Sequence, residues 1–350
     1  MDCFGWRHAE LGDEFLMSGI QLQIMIEPLQ LATPFRISGH IFTSHDVVVV
    51  TLTRGPHVGR GEASGVYYLS EDARAMVASI ESVRSEIEAG ADRLALQSLL
   101  PPSGARNALD CAMWELESAE AGMPGWQLAG LSAPHPLETT FTLGADTPEK
   151  MAEGAQNYRQ AKRIKVKLTG DVEDDIARIH AIRAARPDVW LAVDANQGFT
   201  RATIGPVIEA LMACGVSLLE QPFARGAEDS LDGFDSPIPV AADESALSLS
   251  DIDGLVGRFD IVNIKLDKCG GLTEGLAMAR AARKRDLGIM VGNMVGTSLA
   301  MAPAYVLGQL CDVVDLDGPI FLTEDRKPSV QYADGLVTCD ESIWGSGHIA

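Results

Sequence analysis

Between Arg163 and Leu266 the chain repeats one pattern five times: a short apolar run that ends on a charged residue. The runs are R-I-K-V-K-L, L-A-V-D-A-N, S-L-L-E-Q-P, V-A-A-D-E-S and I-V-N-I-K-L, and their key charges are Lys167, Asp194, Glu220, Asp243 and Lys265. These charges recur every 22 to 27 residues, room for one strand, one helix and two loops. Short runs rich in Val, Ile and Leu read as strands buried on both faces. Strands alternating with helices at this period predict βα units around a parallel sheet. In a closed β/α barrel the C-terminal strand ends meet at one mouth and carry the functional residues. The five runs would thus bring two lysines and three carboxylates together. Three carboxylates form a hard oxygen site that suits Mg2+, with a lysine on either side to act as base or acid.

A chain of 350 residues exceeds one ordinary domain and predicts a barrel plus a smaller module. Its formal charge of −21 argues against nucleic acid or an anionic membrane surface as a partner. Cys3, Cys111, Cys214, Cys269, Cys311 and Cys339 lack C-x-x-C spacing, so they read as reduced, mostly buried thiols. No apolar run is long enough to span a bilayer. The N-terminus lacks the charged-then-apolar order of a signal peptide, so a cytoplasmic enzyme is expected.

Residues 1–17 differ in character from the rest of the chain and read as an N-terminal extension. Residues 18–135 read as an α+β module, with strands at Ile20 to Ile26, Val47 to Leu52 and Gly59 to Glu62. A loop from Ala32 to His40 and another from Ala63 to Tyr68 are candidates for reaching a neighbouring active site. One helix is expected to carry the stripe Met76, Val77, Ile80, Val83 and Ile87, stopping at Gly90. Further helices are expected near Asp92 to Leu99 and Ala105 to Ala121, with Trp114 and Leu116 in the core. Residues 136–318 carry eight expected barrel strands, passing through Thr139, Ile164, Trp190, Ser217, Val240, Ile261, Ile289 and Val313. Residues 319–350 lack barrel periodicity and are expected to complete the first module.

The set K-V-K, D-A-N, E-Q-P, A-D-E-S and N-I-K-L-D-K-C-G-G, with A-L-D-C-A-M-W-E-L at Ala108 to Leu116, resembles the enolase superfamily in its muconate-lactonizing-enzyme subgroup. The resemblance runs from about Ile20 to the C-terminus. Within the subgroup, Asp315-Leu316-Asp317 is similar to the D-x-D signature of dipeptide epimerases, the L-Ala-D/L-Glu epimerases among them. It implies a modified (β/α)7β TIM-like barrel with an α+β capping domain, whose two loops close over the mouth. It further implies one Mg2+ per subunit, a homo-oligomer, a dipeptide substrate and 1,1-proton transfer at the α-carbon of the second residue, with L-Ala-L-Glu as the candidate.

On this resemblance Asp194, Glu220 and Asp243 are the metal ligands, and Lys167 and Lys265 the acid/base pair on opposite faces of the α-carbon. An ordinary lysine titrates near 10.4, so burial or nearby cations must make it neutral enough to accept a proton. Lys165 shares the strand face of Lys167 and is expected to contact the substrate carboxylate. Asp315 and Asp317 are expected to hold the substrate ammonium; Thr142, Asn293 and Val295 are expected to line the pocket. Asn196 and Glu244 are expected to support the metal ligands from behind, and Lys268 to be a structural loop residue. Ala-Glu enzymes of the family meet the glutamate side chain with an arginine placed near Gly39 or His40 of this chain. The only arginine in this loop is Arg36, which leaves the second residue of the dipeptide open. Muconate cycloisomerase, o-succinylbenzoate synthase and N-succinylamino acid racemase chemistry share the lysines and the metal site. None needs paired acids on the last strand. A non-catalytic binding homologue is the alternative from another class, and it would exchange no α-proton.

Overall fold

The structure, a computed structural model, describes residues 19–37 and 40–347, without the side chains of residues 35–37 and 40–42. The N-terminal extension expected at residues 1–17 lies outside the described residues.

The first layer is an antiparallel sheet of β1 (Gln21–Ile37), β2 (His40–Arg54) and β3 (His57–Ala63). Within the stretch from Ala32 to His40, read as a loop, residues 32–37 and His40 instead prolong β1 and β2 into a ribbon. Pairing slips between Gln30 and Phe35 and then resumes, with Phe35 opposite Phe42 and Arg36 opposite Ile41. The bulge absorbs Pro34, whose missing N–H excludes it from regular pairing. The predicted apolar stripe is buried at Met76, Ile80, Val83 and Ile87, but the helix carrying it breaks in two. α1 (Ala73–Glu81) ends before Val83, which leaves helical geometry at φ −117° and ψ 8°, and α2 (Arg84–Glu88) restarts.

After α3 (Arg93–Leu99) comes α4 (Gly104–Ala121), which Ser103 caps by accepting the Arg106 N–H and Gly122 ends in the left-handed region. α4 serves two cores: Ala108, Ala112 and Leu116 pack under the sheet, whereas Cys111 and Trp114 join the barrel core. It reaches β3 closely because Gly59 and Gly61 lack side chains. A Cβ on Gly61 would overlap the carbonyl oxygen of Ala108 in α4. Gly61→Ala is therefore expected to destabilise the protein by about 3 kcal/mol, the upper range for overpacking a close contact, read as a lowered thermal midpoint.

A short strand β4 (Leu137–Glu138) leads into eight parallel strands paired in chain order: β5 (Thr140–Leu143), β6 (Arg163–Lys167), β7 (Trp190–Asp194), β8 (Leu218–Glu220), β9 (Val240–Ala242), β10 (Ile261–Lys265), β11 (Gly288–Gly292) and β12 (Val313–Val314). β12 meets β5 through side chains. The Leu316 N–H donates to Thr139 Oγ1 (2.9 Å) and the Thr142 N–H to Asp317 Oδ2 (2.7 Å). Thr140 Oγ1 donates to Asp315. The outer helices include α5 (Val172–Ala185), α6 (Ile204–Ala213) and α7 (Leu272–Arg283), which bury Ile179 and Ile182, Ile204, Val207 and Leu211, and Leu272, Leu276 and Ala279 in the barrel core. Between β8 and β9 the described chain forms only a 3-10 turn, Glu228–Leu231, and between β9 and β10 a turn and the four-residue helix Ile252–Leu255. Residues 331–338 form a hairpin that pairs with β4. Beyond it, Trp344 Nε1 donates to the carbonyls of Arg60 and Cys111 in the first layer. No helix among the described residues is long and apolar enough to cross a membrane.

Candidate active site

The parallel register sets the charges. Lys167 on β6 lies opposite Asp194 on β7, and Asp194 opposite Glu220 on β8. Asp243 follows the end of β9, and Lys265 ends β10. One oxygen from each of Asp194, Glu220 and Asp243 lies within 4.8 Å of the others, and all three residues are buried. Three ionised carboxylates cannot sit so close in a dry site without cations between them. Part of that cation is protein. Lys167 Nζ donates to Asp194 Oδ2 at 2.6 Å, and Lys265 Nζ to Asp243 Oδ2 at 2.6 Å. Glu220 Oε2 has no hydrogen-bonding partner and faces Lys165 Nζ at 3.5 Å. A buried carboxylate oxygen left this way is costly. With an all-oxygen donor set it fits a hard divalent cation such as Mg2+.

The electrostatics follow from burial and these neighbours. Burial and then Asp194 push Glu220 up to about 7. Burial and then Asp243 push Glu244 up to about 8. Burial alone would lower both Lys165 and Lys265. Asp315, Glu220 and Asp194 outweigh it at Lys165, and Asp243, Glu220 and Asp194 at Lys265, so both stand above the usual lysine range. Asp243 is held well below the carboxylate range because Lys265 and Lys268 overcome its burial.

Above this floor is a chamber partly open to solvent. Its barrel side holds Thr142, Lys165, Lys167, Asn293, Val295, Asp315 and Asp317, and its capping side Ser64, Gly65, Tyr67 and Tyr68. The second predicted loop thus reaches the mouth. Asp315 bonds Thr140 and pairs with Lys165, while Asp317 accepts the Thr142 N–H. Burial and then Asp315 push Asp317 up to about 7.

Some residues differ from their expected places. Asn196 and Glu244, expected behind the metal ligands, line the chamber itself. Asn196 Oδ1 and Glu244 Oε2 are buried without a hydrogen-bonding partner. Lys268 is no loop residue: it sits on the helical turn Leu266–Cys269 and bonds Asp243. The side chain of Arg36 lies outside the described residues. His45, Met294 and Phe321 also line the chamber and no spacing in the sequence pointed to them. His45 hydrogen-bonds the Ser64 carbonyl through Nε2 at 3.0 Å, and burial holds its imidazole below the usual range.

Comparison with known proteins gives the same frame. Residues 150–343 match the enolase C-terminal domain-like family. Residues 19–130 match the N-terminal domain of the mandelate racemase / muconate lactonizing enzyme family. The chain is 38% identical to the L-Ala-D/L-Glu epimerase of Escherichia coli (strain K12) over 316 residues, covering 90% of this chain and 98% of that protein. It is 42% identical to an N-acetyl-D-glutamate racemase from Pseudoalteromonas sp. over 254 residues, covering 72% of this chain and 80% of that protein. Among solved structures, it is similar to an enolase family member from Agrobacterium tumefaciens with homology to dipeptide epimerases, crystallised with sodium and L-Ala-L-Glu. The TM-score is 0.90 and the identity 38%, over 93% of this chain and all of that one.

Proposed function

Since this chain belongs to the mandelate racemase / muconate lactonizing enzyme family within the enolase superfamily, we propose that it is a Mg2+-dependent dipeptide epimerase. The observation that carries the reading is the buried pair Asp315 and Asp317 on the wall of a chamber floored by Lys167, Lys265 and three carboxylates. Asp194, Glu220 and Asp243 hold the metal. When bound, Mg2+ supplies positive charge at the substrate carboxylate as negative charge builds there. Lys165 neutralises the same end of the substrate. Asp315 and Asp317 hold the free ammonium of the first residue by charge-assisted hydrogen bonds, and Thr142, Asn293 and Val295 shape the wall around it. Lys167 and Lys265 end strands on opposite sides of the three carboxylate strands. One removes the α-proton of the second residue as the other delivers a proton from the far face, which inverts the centre.

L-Ala-L-Glu is the first candidate substrate, with Arg36 as the candidate partner of an acidic second side chain. In the same reading residues 18–135 and 319–350 form the cap that selects the side chain, and 136–318 the barrel that does the chemistry. The reading includes a cytoplasmic homo-oligomer without nucleic-acid or membrane partners; the net charge of −21 supports the absence of anionic partners.

The 42% identity to an N-acetyl-D-glutamate racemase favours a second reading, racemisation of an N-acylated amino acid. Such a substrate has no ammonium to pair with Asp315 and Asp317. The two separate in one experiment. Protein is incubated with Mg2+ in D2O with pooled L,L-dipeptides and, in parallel, N-acetylglutamate, and α-deuteration is read by mass spectrometry. Exchange in dipeptides is expected; exchange confined to the N-acetyl compound sinks the dipeptide reading. Chelating the metal with EDTA is expected to stop exchange and added Mg2+ to restore it. Undiminished exchange after chelation would remove the metal from the reading.

A further inference from the structure

We infer that Lys268 is a positioning residue that holds two of the three metal-binding carboxylates in place, Asp243 directly and Glu220 through Asn263. This rests on the reading of Asp194, Glu220 and Asp243 as the metal site. Lys268 is 1% exposed and does not line the chamber, so it meets no substrate. An ammonium has three N–H donors and no acceptor, and here three acceptors surround it. Nζ donates to Asp243 Oδ1 at 2.5 Å, to the Asp243 carbonyl at 2.5 Å and to the Asn263 carbonyl at 3.0 Å. The side chain of Asn263 then donates through Nδ2 to Glu220 Oε1 at 2.6 Å. Lys268 thus takes Asp243 Oδ1 and leaves Oδ2 to Lys265, the lysine that lines the chamber.

The lysine is itself fixed from the capping layer. Its helical turn ends at Gly270 and Gly271, both at positive φ. Arg106 of α4 donates to the carbonyls of Cys269 (2.6 Å) and Gly270 (3.2 Å). A continuous set of bonds therefore runs from α4 to the metal ligands. Two roles for a buried cation here predict opposite signs. If Lys268 only neutralised the anionic cluster, its removal would leave more negative charge for a divalent cation, which would bind more tightly. If it orients the ligands, its removal weakens metal binding, typically by 10- to 100-fold for a residue that supports a ligand.

The test is a titration of the full-length protein with Mg2+ by calorimetry and with Mn2+ by electron paramagnetic resonance, comparing wild type with Lys268→Met and Asn263→Ala. At least tenfold weaker binding is expected in both variants. Asn263→Ala keeps the backbone carbonyl that Lys268 uses and deletes only the donor to Glu220, so it decides the matter if Lys268→Met does not fold. Near-UV circular dichroism and the thermal midpoint in EDTA check the fold; a changed affinity with an unchanged midpoint is what a purely structural lysine would not give. Equal or tighter metal binding in a folded Lys268→Met protein overturns the inference, as does unchanged affinity in Asn263→Ala. If wild type itself takes up neither ion, the metal site reading fails, a result distinct from any failure confined to the variants.

Discussion

Lys265→Ala is expected to lose epimerisation by about 10²- to 10⁴-fold, the share that a positioned acid or base commonly supplies, and to keep one half of the exchange chemistry. With Lys167 intact, the remaining base still reaches one face of the α-carbon. The variant should wash deuterium from D2O into one stereoisomer of a reactive dipeptide and not into its epimer. Lys167→Ala should show the mirror preference. Each isomer is incubated separately with Mg2+ and followed by mass spectrometry and chiral chromatography. The ion pairs argue that the two lysines are not equivalent in other respects: Lys265 pairs with Asp243 beside Lys268, whereas Lys167 pairs with Asp194 alone among the metal-binding acids. Loss of exchange into both isomers in both variants would contradict a two-base mechanism. Exchange into both isomers in either variant would show that the lysine removed is dispensable.

The second large effect is expected at the paired acids. Asp315→Asn with Asp317→Asn removes two negative charges from the wall that receives the ammonium. A charged hydrogen bond contributes about 1.5–3 kcal/mol, so together they predict a fall of roughly 10²- to 10⁴-fold in kcat/KM for dipeptides. Asparagine keeps a carbonyl oxygen for the Thr140 hydroxyl and the Thr142 N–H, so the fold is expected to survive with a modest loss of thermal midpoint. The loss should be much smaller for N-acetylated amino acids, which carry no ammonium. An unchanged ratio between the two substrate classes would mean that these acids do not read the substrate's N-terminus.

The catalytic floor was legible because each of its residues ends a short apolar run. Lys167, Asp194, Glu220, Asp243 and Lys265 lie at or just beyond strand ends, and period plus burial locates strand ends well. Lys268 was not legible by the same reasoning. It lies one turn past Lys265, and only the short helical turn Leu266–Cys269 brings it back to the carboxylate its neighbour already holds. His45 belongs to a separate layer. Strand periodicity gives its pairing but not the docking that sets it over the mouth, which depends on contacts such as the Ser64 N–H to Asp267 (2.8 Å). The ribbon over residues 32–37 was hidden by Pro34, which signals a turn locally although a bulge accommodates it. The break at Val83 left the apolar stripe intact, because the second helix resumes on the same face.

The barrel's last stave is pinned to its first by the same two acids that face the chamber. Thr139, Thr140 and Thr142 on one side meet Leu316, Asp315 and Asp317 on the other, so selectivity and closure share one seam. An exchange of these acids for apolar residues would open a substrate class and, at the same time, unfasten the threonines that join the two strands. Altering the substrate by laboratory evolution at positions 315 and 317 is therefore expected to require companion changes at 139, 140 and 142 to reseal the wall. Altering it from the capping side, at Ser64 or Tyr68, carries no such obligation.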